Sequence, residues 1–275
     1  MGIRLQKTSM GKNLMFSLTN RVAVITGGAG ALGLAIAETL FSLGAHVTLL
    51  GRSLERMEKA LLELDPDGKR SDCYACDVSD ESSMAHVCNE IISTKSKVDI
   101  LVTCAAAPAA SGKLEDITMD QWRSVLSTDL DGVFLSCKTF GPLMIKQRYG
   151  RIVNLTSFHD VATYPFRTTY NAAKSGVEGF SRALAVEWGH YGITVNTVAP
   201  GPILTPRTRW FLSQDESNEA GMLSRTPAVR IGDLSDVSST VAFLVSSEAK
   251  HVNAQQIVVD GGWTANAWWG SHADL

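Results

Sequence analysis

Tyr170 and Lys174 stand four residues apart in a stretch with helical spacing, which places both side chains on one helix face. A phenol ordinarily titrates near ~10. An ammonium about 4–5 Å away, at an effective dielectric of about 20, attracts the phenolate by roughly 3–4 kcal/mol. Such a pair turns a phenol into a proton donor and acceptor usable closer to neutral pH. Ser157, two residues past the apolar run Ile152 to Leu155, adds a hydroxyl able to hydrogen-bond an oxygen that gains negative charge. Each feature alone is weak, because Tyr-x-x-x-Lys spacing arises by accident and a strand-end serine is ordinarily a turn cap. Together they describe proton transfer at a substrate oxygen.

A second set of residues suits phosphate. Thr26-Gly27-Gly28-Ala29-Gly30-Ala31-Leu32-Gly33 follows the apolar run Val22 to Ile25 and opens a helix. Glycines there let backbone N–H groups and the helix N-terminus approach a pyrophosphate, with Gly27, Gly30, Leu32 and Gly33 as the candidate contacts. The next apolar run ends Leu49-Leu50-Gly51-Arg52-Ser53. An acidic residue at that point would accept hydrogen bonds from an adenosine ribose and repel a 2′-phosphate. Gly51 takes the slot instead, and the Arg52 guanidinium, with Ser53 beside it, favours NADP(H) over NAD(H).

The elements that must position these groups alternate along the chain. Strands are predicted at 22–25, 47–50, 74–76, 98–103, 152–155, 193–198 and 257–259, and helices at about 31–43, 53–64, 80–94, 119–147, 169–189 and 233–246. Apolar runs without polar alternation are strands covered on both faces. Strand–helix alternation predicts an α/β fold, a single Rossmann-like doubly wound domain with a parallel sheet of about seven strands. The connection 202–230 is much longer than usual and follows the carboxyl end of a strand, where ligands bind, so it is expected to cover the substrate.

Composition excludes several other functions. The chain has 275 residues, 25 basic against 28 acidic, for a net charge of −3, which argues against a nucleic-acid-tracking surface. No apolar run reaches the ~20 residues of a membrane span. Five cysteines, an odd number, do not read as a disulfide framework, so a reducing, cytoplasmic setting is expected. Cys73, Cys76, His86 and Cys88 have partly metal-like spacing, but no second Cys-x-x-Cys exists, and thiols as small core residues are expected with no metal. Residues 1–17, carrying Arg4, Lys7 and Lys12 and no acid, are expected as an N-terminal tail rather than a targeting segment. The domain is placed at 18–264 and a C-terminal tail at 265–275.

With these motifs in order, the sequence resembles a short-chain dehydrogenase/reductase of the ~250-residue branch. The family's glycine motif is met by Thr26, Gly27, Ala31 and Gly33, with Ala31 where a glycine is commoner. Ser157, Tyr170 and Lys174 match its catalytic serine, tyrosine and lysine, including the 13-residue serine-to-tyrosine interval. The resemblance implies that Asp77 hydrogen-bonds adenine. It also implies that the Pro200-Gly201-Pro202-Ile203-Leu204-Thr205 segment holds the nicotinamide carboxamide through the Ile203 backbone and Thr205, and that Tyr170 and Lys174 contact the nicotinamide ribose end.

Two departures stand out. Thr103-Cys104-Ala105-Ala106 replaces the family's Asn-Asn-Ala-Gly, leaving cofactor contacts around Cys104 mainly to the backbone. The fourth catalytic position, usually asparagine, falls on Asp129, whose carboxylate near Lys174 would oppose the lysine's effect on the phenol. The resemblance implies an NADP(H)-dependent oxidoreductase interconverting a ketone and a secondary alcohol. A catalytically weak NADP(H)-binding sensor or scaffold is the alternative from another class, and a non-redox lyase or epimerase a third.

The expected partner is a small carbonyl or alcohol substrate, with no nucleic acid and no membrane. The Thr226 to Gly232 stretch and the Asp260-Gly261-Gly262-Trp263-Thr264-Ala265 ending resemble sugar-acid and polyol oxidoreductases. His159 and Arg167 suit a hydroxylated or anionic substrate. Phe158, Tyr164, Phe166, Trp210 and Phe211 suit an apolar pocket for a bulky ketone. Trp263, Trp268 and Trp269 are expected to dock on a neighbouring subunit of a homodimer or homotetramer.

Overall fold

The computed structural model describes residues 15–108 and 110–267. Seven strands, β1 (Val22–Thr26), β2 (His46–Gly51), β3 (Ser71–Ala75), β4 (Ile100–Thr103), β5 (Gly150–Leu155), β6 (Ile193–Pro200) and β7 (Gln256–Val259), form one sheet in the order β3-β2-β1-β4-β5-β6-β7. Every pairing is parallel. The central strands β1, β4, β5 and β6 are buried along their whole length, β5 and β6 together with the polar residues Asn154, Asn196 and Thr197, while the edge strands β3 and β7 are largely half-buried. β3 begins at Ser71, earlier than expected, because its polar first residues pair with Val47 and Thr48 of β2.

The helices are α1 (Ala31–Ser42), α2 (Leu54–Leu64), α3 (Glu81–Lys95), α4 (Met119–Leu126), α5 (Gly132–Gln147), α6 (Thr168–Trp188), α7 (Pro206–Leu212), α8 (Glu216–Arg225) and α9 (Leu234–Val245). They bury two cores, one on each sheet face. Ile36 and Leu40 of α1 meet Val237 and Val241 of α9 on one side; Phe140 and Met144 of α5 meet Val177 and Trp188 of α6 on the other. Gly141 makes that second contact possible, since a Cβ there would lie 2.1 Å from the Trp188 ring.

The helix expected to run unbroken over 119–147 is split. Residues Ser127–Asp131 form a π-helical turn between α4 and α5. Such a turn inserts an extra residue into the helical ladder and redirects the side chains on it, often at functional sites. Here it carries Asp129, which is completely buried.

Strand order reverses between β1 and β4, so the loops leaving these two neighbours diverge and open a crevice at the carboxyl edge of the sheet. The long connection after β6 is not irregular. It contains α7, capped by the Thr205 hydroxyl, and α8, capped by Asp215.

Candidate active site

The β1–α1 turn is shaped by close backbone approach. Gly27 has φ +68°, and a Cβ on it would fall 2.7 Å from the Ala105 backbone; one on Gly33 would fall 2.4 Å from the Gly27 carbonyl oxygen. Helix α1 therefore starts tight against the turn, and no side chain caps its first N–H groups. Those free donors and the helix dipole suit an anion.

In front of them lies an open cleft of about 620 Å³. Gly27, Gly30, Leu32 and Gly33 form one wall, Arg52 and Ser53 the end beyond β2, and Asp77, Cys104 and Thr205 other parts of the lining. These predicted residues are brought together. Pro200, Gly201 and Ile203 do not line it; Ile203 is buried and lines a second cavity with Pro202 and Gly232. Asp77 Oδ1 accepts from the hydroxyl and the backbone N–H of Ser79 at 2.7 and 2.9 Å, and those bonds hold its carboxyl below the usual range. Burial pushes the half-buried Cys104 thiol up to about 11 against the opposing charge of Lys174, so it stays protonated.

Two cations in the cleft were missed by motif reading. Arg56, in the first turn of α2, lines the same cleft as Arg52, which lies just before that helix. Arg207, near the start of α7, reaches the same cleft from the long connection, and only the fold reveals it. Three guanidiniums and an uncapped helix N-terminus around an elongated cleft fit a ligand with several phosphates.

Beside the cleft, at the end of β5, sit the proton-transfer residues. Ser157 is buried and extended, and its Oγ accepts the His159 N–H at 3.4 Å, starting the short helical turn Phe158–Asp160. Lys174, on the first turns of α6, donates from Nζ to the Leu155 carbonyl at 3.2 Å and lies 5.7 Å from the centre of the Tyr170 ring. Asp129 Oδ1 accepts the Ala107 N–H at 2.6 Å, and its Oδ2 lies 3.5 Å from Lys174 Nζ. Burial alone would lower the ammonium, but Tyr170, Asp129 and Cys104 outweigh it and hold Lys174 above its ordinary value.

The remaining aromatic expectations divide. Phe158 is buried, whereas Tyr164, Phe166, Trp210 and Phe211 are solvent-exposed, Tyr164 with its ring 4.5 Å from that of His159. Within the chain, Trp263 packs edge-on against Phe158 at 4.9 Å and lies under the Arg225 guanidinium at 5.0 Å. Trp268 and Trp269 lie outside the described residues. Asp160, absent from the expected site, is half-buried beside it and accepts from Gln256 Nε2 at 2.7 Å.

A family model described as Enoyl-(Acyl carrier protein) reductase, of the short-chain type, matches residues 27–264. This chain is a short-chain dehydrogenase/reductase. The 3-oxoacyl-(acyl-carrier-protein) reductase of Salmonella typhimurium is 36% identical to this dehydrogenase/reductase over 246 residues, covering 90% of this chain and 98% of the relative. The D-threitol dehydrogenase of Mycolicibacterium smegmatis is 31% identical over 251 residues, covering 90% and 95%. Among solved structures, a gluconate 5-dehydrogenase from Burkholderia cenocepacia in complex with NADP and tartrate superposes with a TM-score of 0.86 at 28% identity, covering 92% of this chain and 98% of that one. Relatives of this short-chain enzyme are oxidoreductases that support interconversion of ketones and alcohols.

Proposed function

We propose that this protein is an NADP(H)-dependent oxidoreductase interconverting a ketone and a secondary alcohol. The observation carrying this reading is the Lys174 ammonium, buried and 5.7 Å from the Tyr170 ring, beside a cleft lined by Arg52, Arg56 and Arg207. Bound there, a nicotinamide supplies the hydride to the carbonyl carbon or takes it from the alcohol carbon.

The chain's own residues do the rest. Tyr170 gives its hydroxyl proton to the substrate oxygen in reduction and takes it back in oxidation. Lys174 eases that exchange by its charge, and Ser157 Oγ donates to the same oxygen as negative charge develops there. Asp129 fixes Ala107 and balances the ammonium. Arg52 and Ser53 receive the 2′-phosphate, Arg56 and Arg207 add positive charge along the phosphates, and Asp77 receives the adenine. Pro200, Gly201, Ile203 and Thr205 shape the nicotinamide end, with Tyr170 and Lys174 holding its ribose.

The choice of NADP(H) over NAD(H) rests on Gly51 in place of an acid with Arg52 after it, and on a neighbour solved with NADP. Five free thiols suit a reducing, cytoplasmic setting. A homodimer or homotetramer is the proposed assembly. An NADPH-oxidation screen over hydroxyketones, keto-sugars, cyclic ketones and aromatic ketones tests the reading. Turnover that Tyr170→Phe abolishes while NADPH binding persists supports it; full activity of that variant refutes it.

A further inference from the structure

The loop after β5 holds a polar side chain that proton transfer does not use. His159 is 6% exposed, and neither ring nitrogen hydrogen-bonds the protein. Nδ1 is sealed without a partner, whereas Nε2 is not sealed. The residue is held rigidly. Its N–H donates to Ser157 Oγ at 3.4 Å, and its carbonyl accepts from Asn171 Nδ2 at 2.7 Å, Asn171 being the neighbour of Tyr170. Its ring packs 4.3 Å from Phe158, 4.5 Å from Tyr164 and 5.7 Å from Tyr170, centre to centre.

Burial, and then the nearby Arg167 charge, lower this imidazole to about 4, so it is neutral at working pH. A neutral imidazole has one N–H and one bare nitrogen. An orphaned N–H sealed from water is costlier than an orphaned lone pair, so the proton belongs on Nε2 and Nδ1 keeps the unused lone pair. The open side of His159 is therefore a neutral donor beside Ser157 and Tyr170. Those two hydroxyls already serve the reacting oxygen, which leaves His159 a different one.

We propose that His159 Nε2–H donates a hydrogen bond to an oxygen on the carbon adjacent to the reacting carbonyl, making the protein selective for α-hydroxy ketones and vicinal diols. This rests on the redox reading above. An uncharged donor matches a hydroxyl better than a carboxylate. Arg167 Nη1 donates to Ser111 Oγ at 2.7 Å, and its guanidinium lies over the Tyr164 ring at 5.5 Å.

The test compares 3-hydroxy-2-butanone with 2-butanone, which lacks only the second oxygen, using NADPH as reductant. Wild type is expected to favour the hydroxyketone in kcat/KM by about tenfold or more, because a site built around a hydroxyl rejects the analogue without it. His159→Leu should bring that ratio near one by loss on the hydroxyketone alone, and His159→Gln, which keeps a donor, should retain part of it. NADPH fluorescence titration verifies folding, and His159→Phe, which preserves ring packing, supplies the same readout if the leucine variant fails to bind NADPH. A wild-type ratio near one, or a proportional loss on both ketones, overturns the proposal while the redox reading stands. No oxidation of NADPH or NADH with these or with cyclic and aromatic ketones overturns both.

Discussion

Asp129 Oδ2 lies 3.5 Å from Lys174 Nζ, with the carboxylate completely buried and the lysine 4% exposed. Because Oδ1 of the same carboxylate accepts the Ala107 N–H, one side chain joins three segments: the exit of β4, the π-helical turn and α6. An asparagine has one oxygen for the N–H but no charge for the lysine. The short bond to Ala107 and the longer approach to Lys174 are therefore separable by mutation.

Asp129→Ala should cost about 3–5 kcal/mol in urea unfolding, since it leaves a buried ammonium without its counter-charge and an N–H without its acceptor. Asp129→Asn should be much milder, with NADPH-dependent activity within about tenfold of wild type. A loss beyond about a hundredfold would show that the carboxylate has a role that asparagine cannot fill.

Arg52→Ala should lower kcat/KM with NADPH by about 10–100-fold and leave NADH little changed, the size expected for one charge-assisted contact of roughly 1.5–3 kcal/mol. Steady-state kinetics with both cofactors check this. An unchanged ratio would rule out Arg52 as the residue that distinguishes them.

His159 and Asp160 are adjacent and titrate with opposite effects on stability. Burial raises Asp160 from 3.8 to about 6, so the folded protein binds that proton more tightly and stability falls as pH rises through this window. His159 is lowered from 6.5 to about 4, so the unfolded chain binds its proton more tightly and stability rises as pH rises through nearly the same window. The two contributions oppose each other in wild type. Urea unfolding between pH 4 and 6.5 should show a steeper rise with pH in Asp160→Asn and a fall relative to wild type in His159→Gln. Parallel profiles in all three proteins would contradict the pairing.

Gly27→Ala should weaken NADPH binding more than about tenfold and lower Tm. Its φ of +68° disfavours any L side chain, by roughly 1–2 kcal/mol, and the new Cβ would press on the Ala105 backbone at 2.7 Å. Fluorescence titration and thermal melts measure both effects.

Much of this was legible in the residues themselves. Continuous apolar runs such as Val22–Thr26 and Ile100–Thr103 announce buried parallel strands, and the glycine turn and Tyr170–Lys174 spacing announce what those strands carry. The π-helical turn at Ser127–Asp131 was not legible, because nothing in Ser-Thr-Asp-Leu-Asp marks an extra residue in the ladder. Arg207 and the Asp160–Gln256 contact depend on segments distant in sequence, the latter 96 residues apart, which no local pattern encodes. The contacts of Trp263 with Phe158 and Arg225 are hidden in the same way, since only folding sets those residues against it.

The Thr26 hydroxyl, at the end of β1, accepts the backbone N–H groups of both Cys104 and Ala105, at 3.1 and 3.4 Å. It stitches together the two loops that diverge where the strand order reverses. The gap between them is thus preset at its base, and the proposed dinucleotide would meet a mouth of fixed gauge, with little ordering left to do on that side. Any adjustment to that ligand would fall instead to the opposite rim, where Thr205 and Arg207 line the cleft from the start of α7.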